Sequence, residues 1–224
     1  MRTYGQYCPI ARTSELLAER WTPLIIRNLL AGCRTFSEIK DGLPGIPTAL
    51  LSQRLGLLER HDIVLRTPKR SGRGSEFELT EQGRELKDVC DAMGRWGARW
   101  LEIEPHHIAA DYVLWATSKL AGNASIPRGR VVIRFDIKDV SKQRFWMILQ
   151  KTAEVCSTSP GFPEDLIVKT DSGCLVDLNM KRVTVARATE EGRLVIEGPP
   201  SMVRQFPRWF SPSPFAHVTP ASGR

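Results

Sequence analysis

The chain has 224 residues, 42% hydrophobic and 25% charged, which excludes disorder as its main state and, at roughly 150 residues per domain, allows one large domain or two small ones. Lys and Arg outnumber Asp and Glu by 32 to 25, a net charge of +7, which favours an anionic partner such as nucleic acid or a membrane surface without choosing between them. Up to residue 104 there are 16 basic and 14 acidic residues, and beyond it 16 and 11, so the excess is +2 in the first part and +5 in the second.

Thr13 or Ser14 is expected to cap a short helix running through Glu19. Thr22-Pro23 starts a second helix, since proline fits a first helical position where its missing N–H is not needed; this helix ends before Gly32. A third opens at Phe36-Ser37 and stops at Gly42, and after Leu43-Pro44-Gly45-Ile46 a fourth runs from Pro47 to about Arg60. Two short helices across a tight Gly/Pro loop have the form of a helix-turn-helix. Ile63–Arg66 and Glu76–Leu79 are β-prone and flank a glycine-rich tip, the signature of a hairpin; a helix-turn-helix followed by such a hairpin is a winged helix.

At 100° per residue, Leu50, Leu51, Leu55, Leu57 and Leu58 of the fourth helix fall in one arc of roughly 160°, which must face the core. The opposite arc holds Ala49, Ser52, Gln53, Gly56 and Arg60, with Thr48 at the helix start. These residues are small or hydrogen-bonding and suit a helix laid in a major groove, where Gln can bond base edges and Ser a base or a phosphate. Arg54 falls inside the apolar arc and is expected to pair with an acidic residue of its own domain. Arg66, Lys69, Arg70 and Arg73 lie in a stretch without acids. Beside a groove-shaped helix, Lys69, Arg70 and Arg73 are expected to touch the DNA backbone or minor groove, because neutralising phosphates releases counterions.

Thr80 caps a long helix on which Leu86, Cys90, Met93, Gly97 and Trp100 recur at spacings of four and three, widened by Val89 and Trp96. Such a stripe needs a partner: either its own domain or, in Leu86, Cys90, Met93, Trp96, Gly97 and Trp100, the seam of a homodimer. Pro105-His106-His107 marks a boundary. Beyond it we expect a helix near Tyr112–Leu120, strands at Val131–Ile137, Phe145–Gln150, Glu154–Thr158 and Leu166–Lys169, a helical stretch about Gly173–Glu191, a strand at Leu194–Glu197 and a last helix from Ser201 to Phe210. Consecutive strands suggest an antiparallel meander with helices on one face, an α+β layer. Asp171 is expected to cap the helix that follows it. The divisions are 1–103 for a mainly-α winged helix-turn-helix, 104–110 for a linker and 111–224 for an α+β domain.

Cys8, Cys33, Cys90, Cys156 and Cys174 are an odd set without a C-x-x-C pair, and no basic-then-apolar leader precedes them, so the expectation is a reduced, cytoplasmic chain. Apolar runs fall far short of the ~20 residues of a membrane span, and no membrane partner is expected. His61, His106, His107 and His217 are scattered, so no metal is expected, and no nucleophile elbow, P-loop or dinucleotide glycine motif occurs, so neither an enzyme nor a cofactor is expected.

The residues Cys8-Pro9, Glu19-Arg20-Trp21-Thr22, Leu43-Pro44-Gly45-Ile46, Leu51-Ser52-Gln53-Arg54-Leu55, Leu58-Glu59, Glu76-Phe77-Glu78-Leu79-Thr80 with Gly83, and Trp96-Gly97 resemble the HxlR family of bacterial winged-helix transcription regulators. The resemblance implies a DNA-binding regulator, such as a repressor, that acts as a homodimer on an inverted-repeat operator of double-stranded DNA through the helix about Thr48–Arg60 and the wing. The sequence departs from the family pattern at Glu19-Arg20, at Pro47 in place of a capping Ser, and at the Ser-Gly-Arg-Gly wing tip. Cys8 sits where several members carry a thiol that senses oxidants or electrophiles.

Asp111-Tyr112-Val113-Leu114-Trp115, Val132-Ile133-Arg134-Phe135, Pro160-Gly161-Phe162, Asp165-Leu166-Ile167-Val168 and Phe206-Pro207-Arg208-Trp209-Phe210 make the second half similar to the sterol carrier protein fold, found as a C-terminal extension on some members. That resemblance implies an apolar tunnel for a hydrophobic small-molecule effector, with Trp115, Phe135, Trp146, Ile148, Leu178 and Trp209 as candidate lining residues; Lys181 stands where the pattern expects Gly. Three functions follow: a ligand-responsive DNA-binding regulator, a thiol-based redox regulator acting through Cys8, and a lipid-type carrier or small-molecule binding protein.

Overall fold

The computed structural model describes residues 3–69, 72–120, 129–139, 143–151 and 153–221. The chain divides into two compact units, Met1–Gly94 and Arg95–Arg224.

The first unit contains α1 (Pro9–Leu17), α2 (Thr22–Leu30), α3 (Phe36–Asp41), α4 (Thr48–Arg60), the strands β1 (Val64–Pro68) and β2 (Ser75–Leu79), and most of α5 (Glu81–Trp100). α1 starts five or six residues earlier than its sequence suggested: Pro9 takes the first helical position and Cys8, rather than Thr13 or Ser14, the N-cap, so the helix is set by proline's fixed φ. Trp21 enters α2 with φ 79°, a left-handed conformation that an aromatic residue seldom adopts. α3 begins with a capping box in which Thr35 Oγ1 accepts from Glu38 N–H and the Glu38 carboxylate accepts from Thr35 N–H, satisfying two otherwise orphaned donors. Pro47 is extended and leaves α4 without a side-chain cap.

The core of this unit closes over Ile25, Ile26, Ile39, Leu51, Leu55, Leu58, Ile63 and Phe77, all buried. Burying each such side chain contributes about 1.5–3 kcal/mol before entropy is counted. Buried Asn28 donates through Nδ2 to the Ile39 carbonyl at 2.8 Å, tying α2 to the end of α3. β1 and β2 pair antiparallel, Val64 opposite Leu79 and Arg66 opposite Phe77, and Thr35 adds a bridge to Glu76. This is the winged helix-turn-helix expected from the sequence.

The second unit contains a 3-10 turn at Pro105–His107, α6 (Ala110–Leu120), β3 (Val131–Ile137), β4 (Gln143–Leu149), β5 (Ala153–Cys156), β6 (Leu166–Thr170), α7 (Ser172–Asn179), α8 (Val185–Glu190), β7 (Val195–Glu197), α9 (Pro200–Val203) and α10 (Phe206–Trp209). Its sheet runs in the order β5-β4-β3-β6-β7. The four consecutive strands are therefore not a simple meander. β3, β4 and β5 pair antiparallel in sequence, but β6 returns to lie parallel to β3, with Ile133 opposite Leu166. The return is pinned by reciprocal bonds, Asp165 N–H to the Val132 carbonyl and Val132 N–H to Asp165 Oδ2, each 2.8 Å.

Ile133, Phe135, Phe145, Met147, Leu166 and Val168 share one core with Leu114, Leu175, Phe206 and Trp209. The helical stretch expected about Gly173–Glu191 is two helices, parted where Lys181 turns the chain with φ 54°, a conformation that glycine enters at least cost. Likewise the last helix is two short ones, Pro200–Val203 and Phe206–Trp209. Asp171 caps α7 as expected, Oδ1 accepting from Cys174 N–H at 2.7 Å.

Candidate nucleic-acid interface

Leu51, Leu55, Leu57 and Leu58 bury one face of α4 and Leu50 is half-buried, so the helix turns Thr48, Ala49, Ser52, Gln53 and Arg60 outward, with Gly56 half-buried between them. Arg54, in the apolar arc, donates from Nη2 to Glu19 Oε2 at 2.6 Å. Its side chain is 15% exposed, so it braces α4 against the α1–α2 corner and is held away from any groove. At the other end of α4, Lys40 Nζ donates to Thr48 Oγ1 at 2.9 Å, a cation beside the first turn that the sequence reading missed. A cleft of about 480 Å³ lies along the C-terminal half of α4, lined by Glu19, Gln53, Arg54, Leu57, Arg60 and His61.

The wing is closed by Lys69 N–H to the Gly74 carbonyl, and Gly72 and Gly74 sit at φ 88° and 119°, open to glycine and strained for most other residues. Arg66 is drawn back along the strand, its Nε donating to Ser75 Oγ at 2.9 Å and its guanidinium over the Phe77 ring. Arg73 is exposed and Lys69 half-buried, and among the described residues neither forms an ion pair. Arg70 lies outside the described residues.

Along α5, Met93, Trp96 and Trp100 are 53%, 59% and 49% exposed, while Leu86, Cys90 and Gly97 are half-buried. Burial pushes the Cys90 thiol up, helped by Asp91 and opposed by Arg27. Tyr7 ahead of α1 and Ile10 in its first turn are exposed as well, and Leu101 continues the α5 surface; the stripe's periodicity could not reveal these, since they lie outside its helix. Cys8, half-buried, occupies the N-cap of α1.

In the second unit Trp115, Phe135, Trp146, Ile148, Leu178 and Trp209 are all buried, but they do not surround one space. Phe135, Leu178 and Trp209 belong to the core between sheet and helices. Trp146 faces Arg134 and Ile148 faces Val132 in the strand register, so both point from the side of the sheet opposite Phe135. There Trp146 Nε1 donates to Glu164 Oε1 and Arg134 Nη1 to Glu164 Oε2, an ionic network rather than an apolar wall. Among the described residues no three His, Cys, Asp or Glu side chains gather as a metal site, and no helix is long and apolar enough to cross a membrane.

Comparison with known proteins gives a match to the HxlR-like helix-turn-helix family over residues 16–105. An uncharacterised HTH-type transcriptional regulator of Synechocystis, sll1512, is 40% identical over 102 residues, 45% of this chain and 75% of its own length. YvaP of Bacillus subtilis, also an uncharacterised HTH-type transcriptional regulator, is 32% identical over 104 residues, 44% of this chain and 93% of its own. The solved reduced form of the transcriptional regulator YodB from B. subtilis is 34% identical over 41% of this chain and 92% of its own, with a TM-score of 0.37.

Proposed function

Because the chain belongs to the HxlR-like helix-turn-helix family, we propose that it is an HTH-type transcriptional regulator that binds double-stranded DNA with the outer face of α4 in the major groove. One observation carries the proposal: Thr48, Ala49, Ser52 and Gln53 are turned outward together while the leucines behind them are buried. Gln53 suits a base edge, and Thr48, Ser52 and Arg60 suit phosphates or bases. Lys69, Arg70 and Arg73 of the wing neutralise backbone phosphates. The exposed apolar residues of α5 form the seam of a homodimer, which would place two recognition helices on an inverted repeat.

The test is fluorescence anisotropy with duplexes from the gene's own upstream region, across a salt series. Tight, salt-dependent, sequence-selective binding supports the reading, and absence of binding to any upstream duplex refutes it. Replacing Lys69, Arg70 and Arg73 with Ala should flatten the slope of log affinity against log salt by about one unit per lost phosphate contact, and an unchanged slope removes the wing from the interface.

We further infer that the second unit takes an apolar effector on the sheet face of Phe135, Leu178 and Trp209, which share its core; native mass spectrometry of protein purified without detergent should show it as a retained mass, and a bare chain mass refutes it. Cys8, at the N-cap of α1 with Arg12 one turn on, supports a thiol-sensing reading: diamide should weaken operator binding and Cys8→Ser should abolish the effect.

A further inference from the structure

Gly56 lies in the middle of α4, and the fold gives no reason for a glycine there. At Gly83 a Cβ would stand 2.2 Å from the Ile63 carbonyl oxygen, so that glycine is demanded by packing. At Gly56 the backbone is helical, and a Cβ would meet only Arg60 Nη1, at 3.6 Å, an ordinary contact with the end of a flexible side chain. A glycine inside a helix weakens it relative to alanine, so this residue lowers the stability of α4 without easing any clash.

Its neighbours on the helix surface are Gln53, three residues before, and Arg60, four after. Gln53 and Arg60 are two turns apart, about 10.5 Å along the axis, and a major groove is about 12 Å wide. A helix that sets Gln53 over base edges therefore carries Arg60 to the phosphates at the groove's edge, and the strip of helix between them has to pass the backbone. The cleft beside this strip is lined by Gln53, Leu57, Arg60 and His61 and by Glu19, whose carboxylate is paired to Arg54, and the Arg60 guanidinium lies back toward the gap that Gly56 leaves.

Resting on the DNA-binding reading above, we propose that Gly56 is an affinity-determining position: the sugar-phosphate backbone of the operator comes closest to α4 at this gap, and Arg60 is the cation that meets it. A side chain at 56 would hold the duplex off and displace Arg60. The role is one of positioning, and it predicts that stability and affinity move in opposite directions.

Gly56→Ala and Gly56→Gln, both made in the full chain, would be compared with wild type by thermal melting and by anisotropy on the same upstream duplex. Melting temperatures should equal or exceed that of wild type, while the dissociation constant rises about threefold for Ala and roughly tenfold or more for Gln, the scale of one damaged base-pair contact. A Gln variant that binds as tightly as wild type overturns the proposal. Should the Gln variant fail to fold, the Ala variant decides: weaker binding with undiminished melting temperature supports the role, and unchanged or tighter binding refutes it. Wild-type protein that binds no duplex overturns both this proposal and the reading beneath it, whereas wild-type binding with indifferent Gly56 variants overturns this one alone.

Discussion

Glu15 holds the segment ahead of α1 through one carboxylate oxygen, which accepts from Thr3 Oγ1 and from Tyr4 N–H, each at 2.7 Å. The Thr3 hydroxyl, then the Tyr4 amide, holds its pKa below the ordinary value of 4.5, with Arg12 adding to the effect. A carboxyl whose folded value is lowered stabilises the folded arm fully above its unfolded value and loses that contribution as pH falls through the folded one. Hydrogen exchange should accordingly show protection of the Tyr4 amide at neutral pH and its loss in acid below the ordinary carboxylate range, and Glu15→Ala should lose it already at pH 7. Arg54 is a second case where one side chain decides a local arrangement. Its angular position among leucines already announced a buried partner in the sequence, but that the partner is Glu19, 35 residues away, depends on how α1 meets α2 at the left-handed Trp21, which no local propensity encodes. The six aromatic and aliphatic residues expected around an effector were legible as buried, because apolarity reports burial, but that Trp146 and Ile148 point to the sheet face opposite Phe135 depends on strand register.

Helices and strands were readable where one strong local device sets them. The Thr22-Pro23 pair and the Asp171 cap marked the starts of α2 and α7 in sequence, whereas the Thr35–Glu38 capping box of α3 was missed there, and the parallel return of β6 beside β3 rests on pairings between residues more than thirty apart. For α5 the device is Gly83, whose place against the Ile63 carbonyl lets the helix approach the start of β1. Gly83→Ala should force the two apart and cost about 1–3 kcal/mol, as overpacking does, visible as a melting temperature several degrees lower. Further along, the same helix exposes Met93, Trp96 and Trp100. If these form a seam between copies, Trp96→Glu should shift the sedimenting species from dimer to monomer at micromolar concentration and weaken binding to an inverted repeat more than to a half-site. A monomeric wild type would refute the seam.

Across the whole molecule, two units with separate cores imply two separable stabilities. Phe135 is fully buried in the core of the second unit, its ring 6.3 Å from that of Phe206, and Phe135→Ala should destabilise that unit by about 3–5 kcal/mol. Calorimetry should then show one transition moved down and the other in place; a single transition that shifts as a whole would mean that the units melt together. The distribution of charge also takes on its meaning at this scale. The second part of the chain carries most of the +7, and both units match several bases to carboxylates, Arg34, Arg54 and Lys87 in the first and Arg134, Lys169, Arg187 and Arg193 in the second; what bears on DNA is position, since Arg60 and Arg73 are exposed on α4 and the wing. Finally, the division between Gly94 and Arg95 falls within an unbroken 20-residue helix, about 30 Å of continuous hydrogen-bonded backbone. Anyone dissecting the protein should therefore not cut where compactness changes. A fragment ending at Gly94 would fray a severed helix and discard Trp96 and Trp100, and the usable cleavage point is the irregular stretch after Trp100, between Leu101 and Glu104.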